Sequence, residues 1–493
     1  WGGWARIVYR FRPHGDNPEE CIMESMLLAP WPEGEPKPPA AKLHMLDADD
    51  AWVDAEELGT LARIFDQDIY PRLHPYRELL TLHTAVYFGE GSDEATYARL
   101  GAAVSDPATW TALKTLNALT PRLQDLEARR WFHWELEFPE VFAGERWGFD
   151  VVVGNPPYLE ANSVSYLPLL PVLNKCGNLS IGFVEISILC GGFGSRYGFI
   201  LPLSSISTTR MRFFQEELLQ NRSEEVWIAN FAWRPGRIFE GANLQVSIVT
   251  GTVGEGAKIY TTRYNLWKTE DRPNLLKSLA YVEASDYLIP GSIPKLGATL
   301  EYSILDKMHS VGATLGDFVD RKSDNVVFYR RGGLYFKVFV TFVTGSSEEK
   351  RLPLRADVPQ YAVTALLSSN LWFWFFTVYS DCRHLGNRDI ETMPVNFNTM
   401  PLDIKSGLTS LGKELVEDLK HKANYTTRVY KGSKAVQCIQ FNVKDSMRLI
   451  DQIDALLAEY FRFSDSELEY ILNYNRSFRV YDSESDSESD ESI

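Results

Sequence analysis

Five cysteines in 493 residues, Cys21, Cys176, Cys190, Cys382 and Cys438, never fall into a C-x-x-C pair. The eight histidines form no H-E-x-x-H. These absences predict a reducing, cytoplasmic setting and no metal centre. No run of 18 or more apolar residues occurs. The longest, around Ala365 to Tyr379, is broken by Ser368, Ser369 and Asn370, so no membrane span is expected. The pattern of a signal peptide is missing as well. Positive charge is short: the net charge is −16, and without the six acids between Asp482 and Ile493 it is still about −10. A wholly basic nucleic-acid binder is excluded, so nucleic-acid contact would need a local basic cleft. The chain opens on Trp1 instead of a methionine, in sequence that reads as structured, which predicts an N-terminal truncation.

With 45% hydrophobic residues the chain can bury sizeable cores, and its length predicts two to four domains. The most informative stretch runs from Phe149 to Tyr158, Phe-Asp-Val-Val-Val-Gly-Asn-Pro-Pro-Tyr. Val151, Val152 and Val153 are β-branched, and a continuous apolar run predicts a buried strand of a parallel sheet. Pro156 and Pro157 forbid continuation as strand or helix. Asn155 and Tyr158 are thereby held at the carboxyl end of a strand, where open α/β sheets bind their ligands. The Asn155 side-chain carbonyl and the Pro156 backbone carbonyl are acceptors able to hold both hydrogens of a planar amino group. Tyr158 could stack on the ring that carries it. A Pro-Pro turn that merely closes a strand is the other reading.

Asn155-Pro156-Pro157-Tyr158 after an apolar strand resembles the catalytic motif of amino-directed, S-adenosylmethionine-dependent methyltransferases. That group includes N6-adenine DNA methyltransferases and release-factor glutamine methyltransferases. Further phrases resemble the large restriction–modification class, which takes in type IIG and type ISP enzymes and phage-exclusion methyltransferases. Trp131 to Phe142 resembles the lead-in to the catalytic strand, with His133 read as structural. Gly177-Asn178-Leu179 resembles the turn that opens a helix beside the cofactor, which makes Asn178 a cofactor-binding candidate. Gly198 to Pro202 resembles the next buried strand. Phe239 occupies, by order and spacing, the place of an aromatic residue that stacks on the flipped adenine; an ordinary core phenylalanine is the alternative. Leu366 to Ile390, closing at Met393-Pro394, resembles the target-recognition region. It puts Arg383, His384, Asn387 and Arg388 on one loop, for contacts to phosphates or base edges; a solvated polar loop is the alternative. Glu467 to Arg479 resembles the class's C-terminal signature.

The expected fold is α/β, with a partial Rossmann-like methyltransferase sheet. Residues 1–130 are expected to be mostly helical, with a Pro-rich linker at Trp31 to Pro39 and helix from Asp50 to Leu82 and again from Ala95 to Arg130. Residues 131–265 form the catalytic half-domain, 266–400 an α+β target-recognition domain, 401–480 a helical region and 481–493 a disordered acidic tail. In the helical region Leu449, Ile450, Ile453, Leu456, Leu457 and Tyr460 share one face, and Ser464 with Glu467 makes a capping box.

The resemblance implies S-adenosylmethionine as cofactor and double-stranded DNA as partner, without membrane or metal. Nuclease or defence-system subunits are candidate partners. The cofactor loop itself is not recognisable. Val86 to Ser92, with Gly89 and Gly91, is the nearest candidate, but no second strand ending in an acid follows, and a surface turn is the expected reading. The function so implied is methyl transfer to N6 of a flipped adenine in a restriction–modification or phage-defence system. In that reading Asn155 and Pro156 bind the amine, Pro157 shapes the turn, and Tyr158 and Phe239 stack on the base. The alternatives are a catalytically silent DNA-recognition fragment and a methyltransferase acting on protein glutamine or RNA.

Overall fold

A computed structural model describes residues 6–14, 17–28, 70–90, 94–117, 119–129, 131–143, 146–164, 167–239, 243–332, 336–346, 348–428 and 436–481. The chain divides into two compact units, 1–147 and 148–493. The Pro-rich patch, the helix start at Asp50 and the acidic tail lie outside the described residues.

The first unit opens on strands, not helix: β1 (Arg6–His14) pairs antiparallel with β2 (Asn17–Leu28). Helices follow at Tyr70–Tyr87, Glu94–Ala103, Pro107–Leu116 and Thr120–Glu127. Their apolar faces meet in a small core of Leu82, Ala85, Leu100, Trp110, Leu123 and Leu126. Buried Glu78 crosses that core and accepts Trp110 Nε1–H and Lys114 Nζ–H, both at 2.6 Å. The Gly89 turn ends the first of these helices. Gly89 sits at φ +76°, Gly89 N–H bonds Val86 O, and Glu90 N–H reaches back to Ala85 O. This is a glycine-terminated helix end. Val86 and Tyr87 are therefore helical, and the nearest cofactor-loop candidate is a helix cap.

The second unit is built on a six-stranded mixed sheet in the order β3-β4-β6-β5-β7-β8. These strands are β3 (Phe149–Gly154), β4 (Gly191–Pro202), β5 (Ser223–Phe231), β6 (Val246–Val253), β7 (Lys258–Asn265) and β8 (Tyr281–Glu283). β3 runs parallel to β4, and β5 parallel to β7, whereas β6 lies antiparallel between β4 and β5. The carboxyl ends of β3, β4, β5 and β7 thus share one edge of the sheet. β8 carries the sheet past residue 265, where the sequence pattern put its end.

One expectation is corrected. β3 is not a buried strand. Among the described residues it pairs only with β4, and Val151 and Val153 are 58% and 74% exposed. Only Val152 turns inward, onto the core that includes Val184, Phe199 and Phe214. The apolar run has the strand-forming residues that were read from it, but a strand at the sheet's edge covers only one face.

A second core joins the remaining elements. β9 (Asn325–Arg330) pairs antiparallel with β10 (Phe339–Val340) on one side and β11 (Glu349–Leu354) on the other. Against them pack helices Gln360–Ser368, Asn370–Tyr379, Leu402–His421 and Met447–Phe461. The apolar run broken at Ser368, Ser369 and Asn370 lies in two helices bent by 65°. Ser369 makes the break: its side chain accepts the Trp372 N–H as the N-cap of the second helix. All ten residues of that second helix are buried. Among the described residues no single helix is long and apolar enough to cross a membrane, and the bent pair that together has the length and composition is this core element. The 401–480 region also holds a hairpin, β12 (Asn424–Arg428) with β13 (Val436–Gln440), which helical periodicity did not anticipate. The Ser464–Glu467 capping box forms as read.

Candidate active site

β3 ends at Gly154, and the chain leaves the sheet at once through Asn155, Pro156, Pro157 and Tyr158. Asn155 and Pro157 are exposed, Pro156 is buried and Tyr158 half-buried. The Tyr158 hydroxyl lies 2.9 Å from Asn155 Oδ1 and 2.9 Å from the Ile200 carbonyl of β4. Burial pushes the Tyr158 phenol up to about 12, so it keeps its proton across the physiological range.

Two residues that sequence reasoning missed hold this loop in place. Glu160 forms an ion pair with Arg210 through both guanidinium nitrogens, NH1 at 3.1 Å. Arg210 also donates to the Cys176 carbonyl at 2.7 Å and the Gly177 carbonyl at 2.8 Å. Backbone bonds from Ala161 N to Gly177 O and from Leu179 N to Leu159 O complete the latch. The bond from Arg210 holds the Glu160 carboxyl below its usual range. The pair is half-exposed, so its value lies in geometry more than in Coulomb energy.

Asn178 is the N-cap of helix Leu179–Cys190: its Oδ1 accepts Ser180 N–H at 3.1 Å and the Ser180 hydroxyl at 2.6 Å, and its Nδ2 reaches Glu160 at 3.4 Å. The side chain given to the cofactor is thereby committed to capping. Phe239 is half-buried against the core cluster that includes Ala229, Phe231 and Trp267. His133, in the first unit, is buried and hydrogen-bonded to Thr81 Oγ1 at 3.0 Å, and burial lowers its pKa. That is the structural part expected of it.

Arg383 and His384 lie on the turn after helix Asn370–Tyr379, whereas Asn387 and Arg388, expected on the same loop, open the short helix Asn387–Glu391, and the four play different parts. Arg388 is a clamp. Its guanidinium donates to Tyr379 O at 3.1 Å, Gly291 O at 3.0 Å, Ser207 O at 3.4 Å and Thr209 Oγ1 at 3.2 Å. It ties this turn to the segment after β4 and faces protein on all four bonds. Asn387 is exposed and accepts the Tyr329 hydroxyl at 3.1 Å. His384 is exposed beside Asp381, whose Oδ1 accepts the backbone N–H groups of Arg383 and His384, both at 2.9 Å. Beneath them two buried lysines bind carbonyls: Lys295 those of Val378 and Ser380 at 2.9 and 2.7 Å, Lys337 that of Arg383 at 3.2 Å. Burial holds the Lys337 ammonium down to about 8.

Among the described residues one cluster brings potential metal ligands together. The His74, Glu78 and Glu127 cluster of the first unit has its central carboxylate already bound by Lys114.

Among solved structures, a type IIL restriction-modification enzyme, MmeI, in complex with DNA aligns at 11% identity over 69% of this chain and 58% of its own, with a TM-score of 0.39. An ATP-dependent type ISP restriction-modification enzyme, LlaBIII, bound to DNA aligns at 11% identity over 66% of this chain and 37% of its own, TM-score 0.32. The type IIG restriction endonuclease BpuSI aligns at 13% identity over 68% and 54%, TM-score 0.23. The chain therefore spans about two fifths to three fifths of the length of these proteins. No curated protein sequence matches it significantly. Residues 102–232, the segment that carries β3, the Asn155–Tyr158 loop, β4 and β5, match the family model of the Eco57I restriction-modification methylase.

Proposed function

We propose that this chain is part of a DNA methyltransferase that modifies N6 of adenine in a restriction–modification or phage-defence setting. The observation that carries the reading is the exposed Asn155 at the carboxyl end of β3, beside Tyr158, inside the segment that matches a restriction-modification methylase family. N6 is inaccessible within the duplex stack, so the target base must be turned out. Asn155 Oδ1 and the Pro156 carbonyl accept its two N–H hydrogens. Those bonds strengthen as positive charge develops on the nitrogen. Tyr158 and Phe239 offer ring faces, each stack worth about 1–3 kcal/mol. Arg383 and His384, on the braced turn, are the residues for phosphate or base-edge contact, and Arg388 serves to hold that turn.

S-adenosylmethionine supplies the methyl group in methylases of this kind. Among the described residues, the two candidates read from the sequence are otherwise engaged. Asn178 is committed to capping, and the Gly89 turn is a helix end. Asn155, Pro156 and Tyr158 therefore account for the amine side of the reaction. A second reading, DNA recognition without transfer, is favoured by the edge position of β3, which leaves Val151 and Val153 uncovered beside the loop.

The test is mass-spectrometric detection of N6-methyladenine in duplex DNA incubated with the chain and S-adenosylmethionine. Product in the wild type that disappears in Asn155→Ala supports the transfer reading. DNA binding without product selects the recognition reading. Capture of a release factor in preference to duplex DNA would overturn both.

A further inference from the structure

The Tyr158 hydroxyl has one proton and two acceptors, Asn155 Oδ1 and Ile200 O, each 2.9 Å away. A hydroxyl donates one hydrogen bond and accepts others. With its proton on Asn155 Oδ1, one of the two lone pairs of the acceptor proposed to receive the substrate amine is taken. With its proton on Ile200 O, the hydroxyl oxygen presents a lone pair to Asn155. The carboxamide can then turn its own N–H onto that lone pair and swing its carbonyl toward the open side of the loop. No heavy atom of Tyr158 needs to move between the two arrangements. Ile200 is fixed by the β4–β6 ladder and by the β3–β4 pairing next to it.

We propose that the Tyr158 hydroxyl, as distinct from its ring, is a positioning group that sets the orientation of the Asn155 carboxamide by bridging it to the Ile200 carbonyl. What Asn155 is offered to rests on the function proposed above; the bridge itself does not. Three features of the site suit this part. Tyr158 is half-buried, its hydroxyl bonds the Ile200 carbonyl, and burial keeps it protonated. Asn155 is exposed, so nothing but this contact is shown to restrain its side chain. The loop backbone is latched by Glu160 and Arg210, so the hydroxyl and the carboxamide stay within reach.

The discriminating variant is Tyr158→Phe, which keeps the ring and removes the bridge. Side-chain amide resonances of Asn155 are recorded by nuclear magnetic resonance on the full chain, assigned by their loss in Asn155→Asp. In the wild type the two Nδ2 protons should be well separated and slow to exchange with water. In Tyr158→Phe they should collapse toward the positions of a free carboxamide, with exchange at least tenfold faster. Tyr158→Trp, which also lacks the hydroxyl, should do the same, so that misfolding of one variant is recognised by disagreement with the other. Resonances unmoved in both variants overturn the proposal. Where the wild type methylates DNA, Tyr158→Phe should lower kcat about tenfold and leave KM within about twofold; unchanged kcat also overturns it. The resonance measurement needs neither DNA nor cofactor. A chain that never methylates would sink the functional reading and leave the bridge decided by the spectra.

Discussion

Asp454 meets Asn370 twice: one carboxylate oxygen accepts the Asn370 backbone N–H at 3.0 Å and its side-chain N–H at 2.8 Å. The other oxygen takes the Leu371 N–H at 2.9 Å. A buried carboxylate thus covers the amino end of helix Asn370–Tyr379, where the helix dipole favours negative charge. At the carboxyl end Lys295 and Arg388 take the carbonyls of Val378, Tyr379 and Ser380. A helix buried on every side has no water to satisfy its ends, so these side chains stand in for it. The turn bearing Arg383 and His384 starts from that braced end.

Asp454→Ala should destabilise the second unit by about 3 kcal/mol or more, because it strands buried N–H groups that each cost about 1–3 kcal/mol when unpaired. Urea denaturation followed by tryptophan fluorescence would read this, since Trp372 and Trp374 lie in the helix concerned. A loss under about 1 kcal/mol would show that the helix end finds other partners.

Lys295→Met should leave the sheet folded and loosen the turn. Amide hydrogen exchange at residues 380–384 is expected to rise more than tenfold, with β4 and β6 unaffected. Equal rates in variant and wild type would remove Lys295 from any part in holding that turn.

Asn155→Ala and Tyr158→Ala should each abolish methyl transfer while shifting the melting temperature by no more than a few degrees, as substitutions at an exposed or half-buried loop do. Retained turnover in either would contradict the parts given to these residues.

Glu467 gives a pH dependence of known sign. Burial opposes its ionisation, but bonds from Lys307, Ser303 and Ser464 outweigh that and hold its carboxyl down to about 2 from 4.5. A depressed folded-state pKa adds stability above about pH 4.5 that is lost as pH falls toward 2. The depression corresponds to about 3 kcal/mol. Glu467→Gln should therefore be less stable at pH 7 and flatter between pH 4.5 and 2, measured by denaturant midpoints across that range.

What could be read in the sequence was local. Val151 to Gly154 announces a strand, Asn178-Leu179 a capped helix start and Ser464 with Glu467 a capping box, because each signal sits within a few residues of what it organises. The exposure of Val151 and Val153 was illegible, since β-branched runs look alike at the centre and at the edge of a sheet. So was the committed state of Arg388: its acceptors Ser207, Thr209 and Gly291 lie far away in sequence. Glu160, Arg210, Lys295 and Asp454 were passed over for the same reason. An isolated charge reads as surface until the chain brings its partner to it. The hairpin of β1 and β2 was not read because its second strand, with Glu19-Glu20 adjacent and Met26-Leu27-Leu28 in a row, shows no apolar–polar alternation.

β3 also has a consequence for what can approach Asn155. Among the described residues its outer backbone edge has no strand partner; two exposed valines flank it, a register irregularity interrupts the strand between Phe149 and Val151, and Pro156 and Pro157 stop it after Asn155. The strand that presents Asn155 is therefore, among the described residues, one of the two edges of the sheet. A strand added at this edge would lie beside the Asn155 loop, so the residues that carry the chemistry would also meet whatever covers the edge.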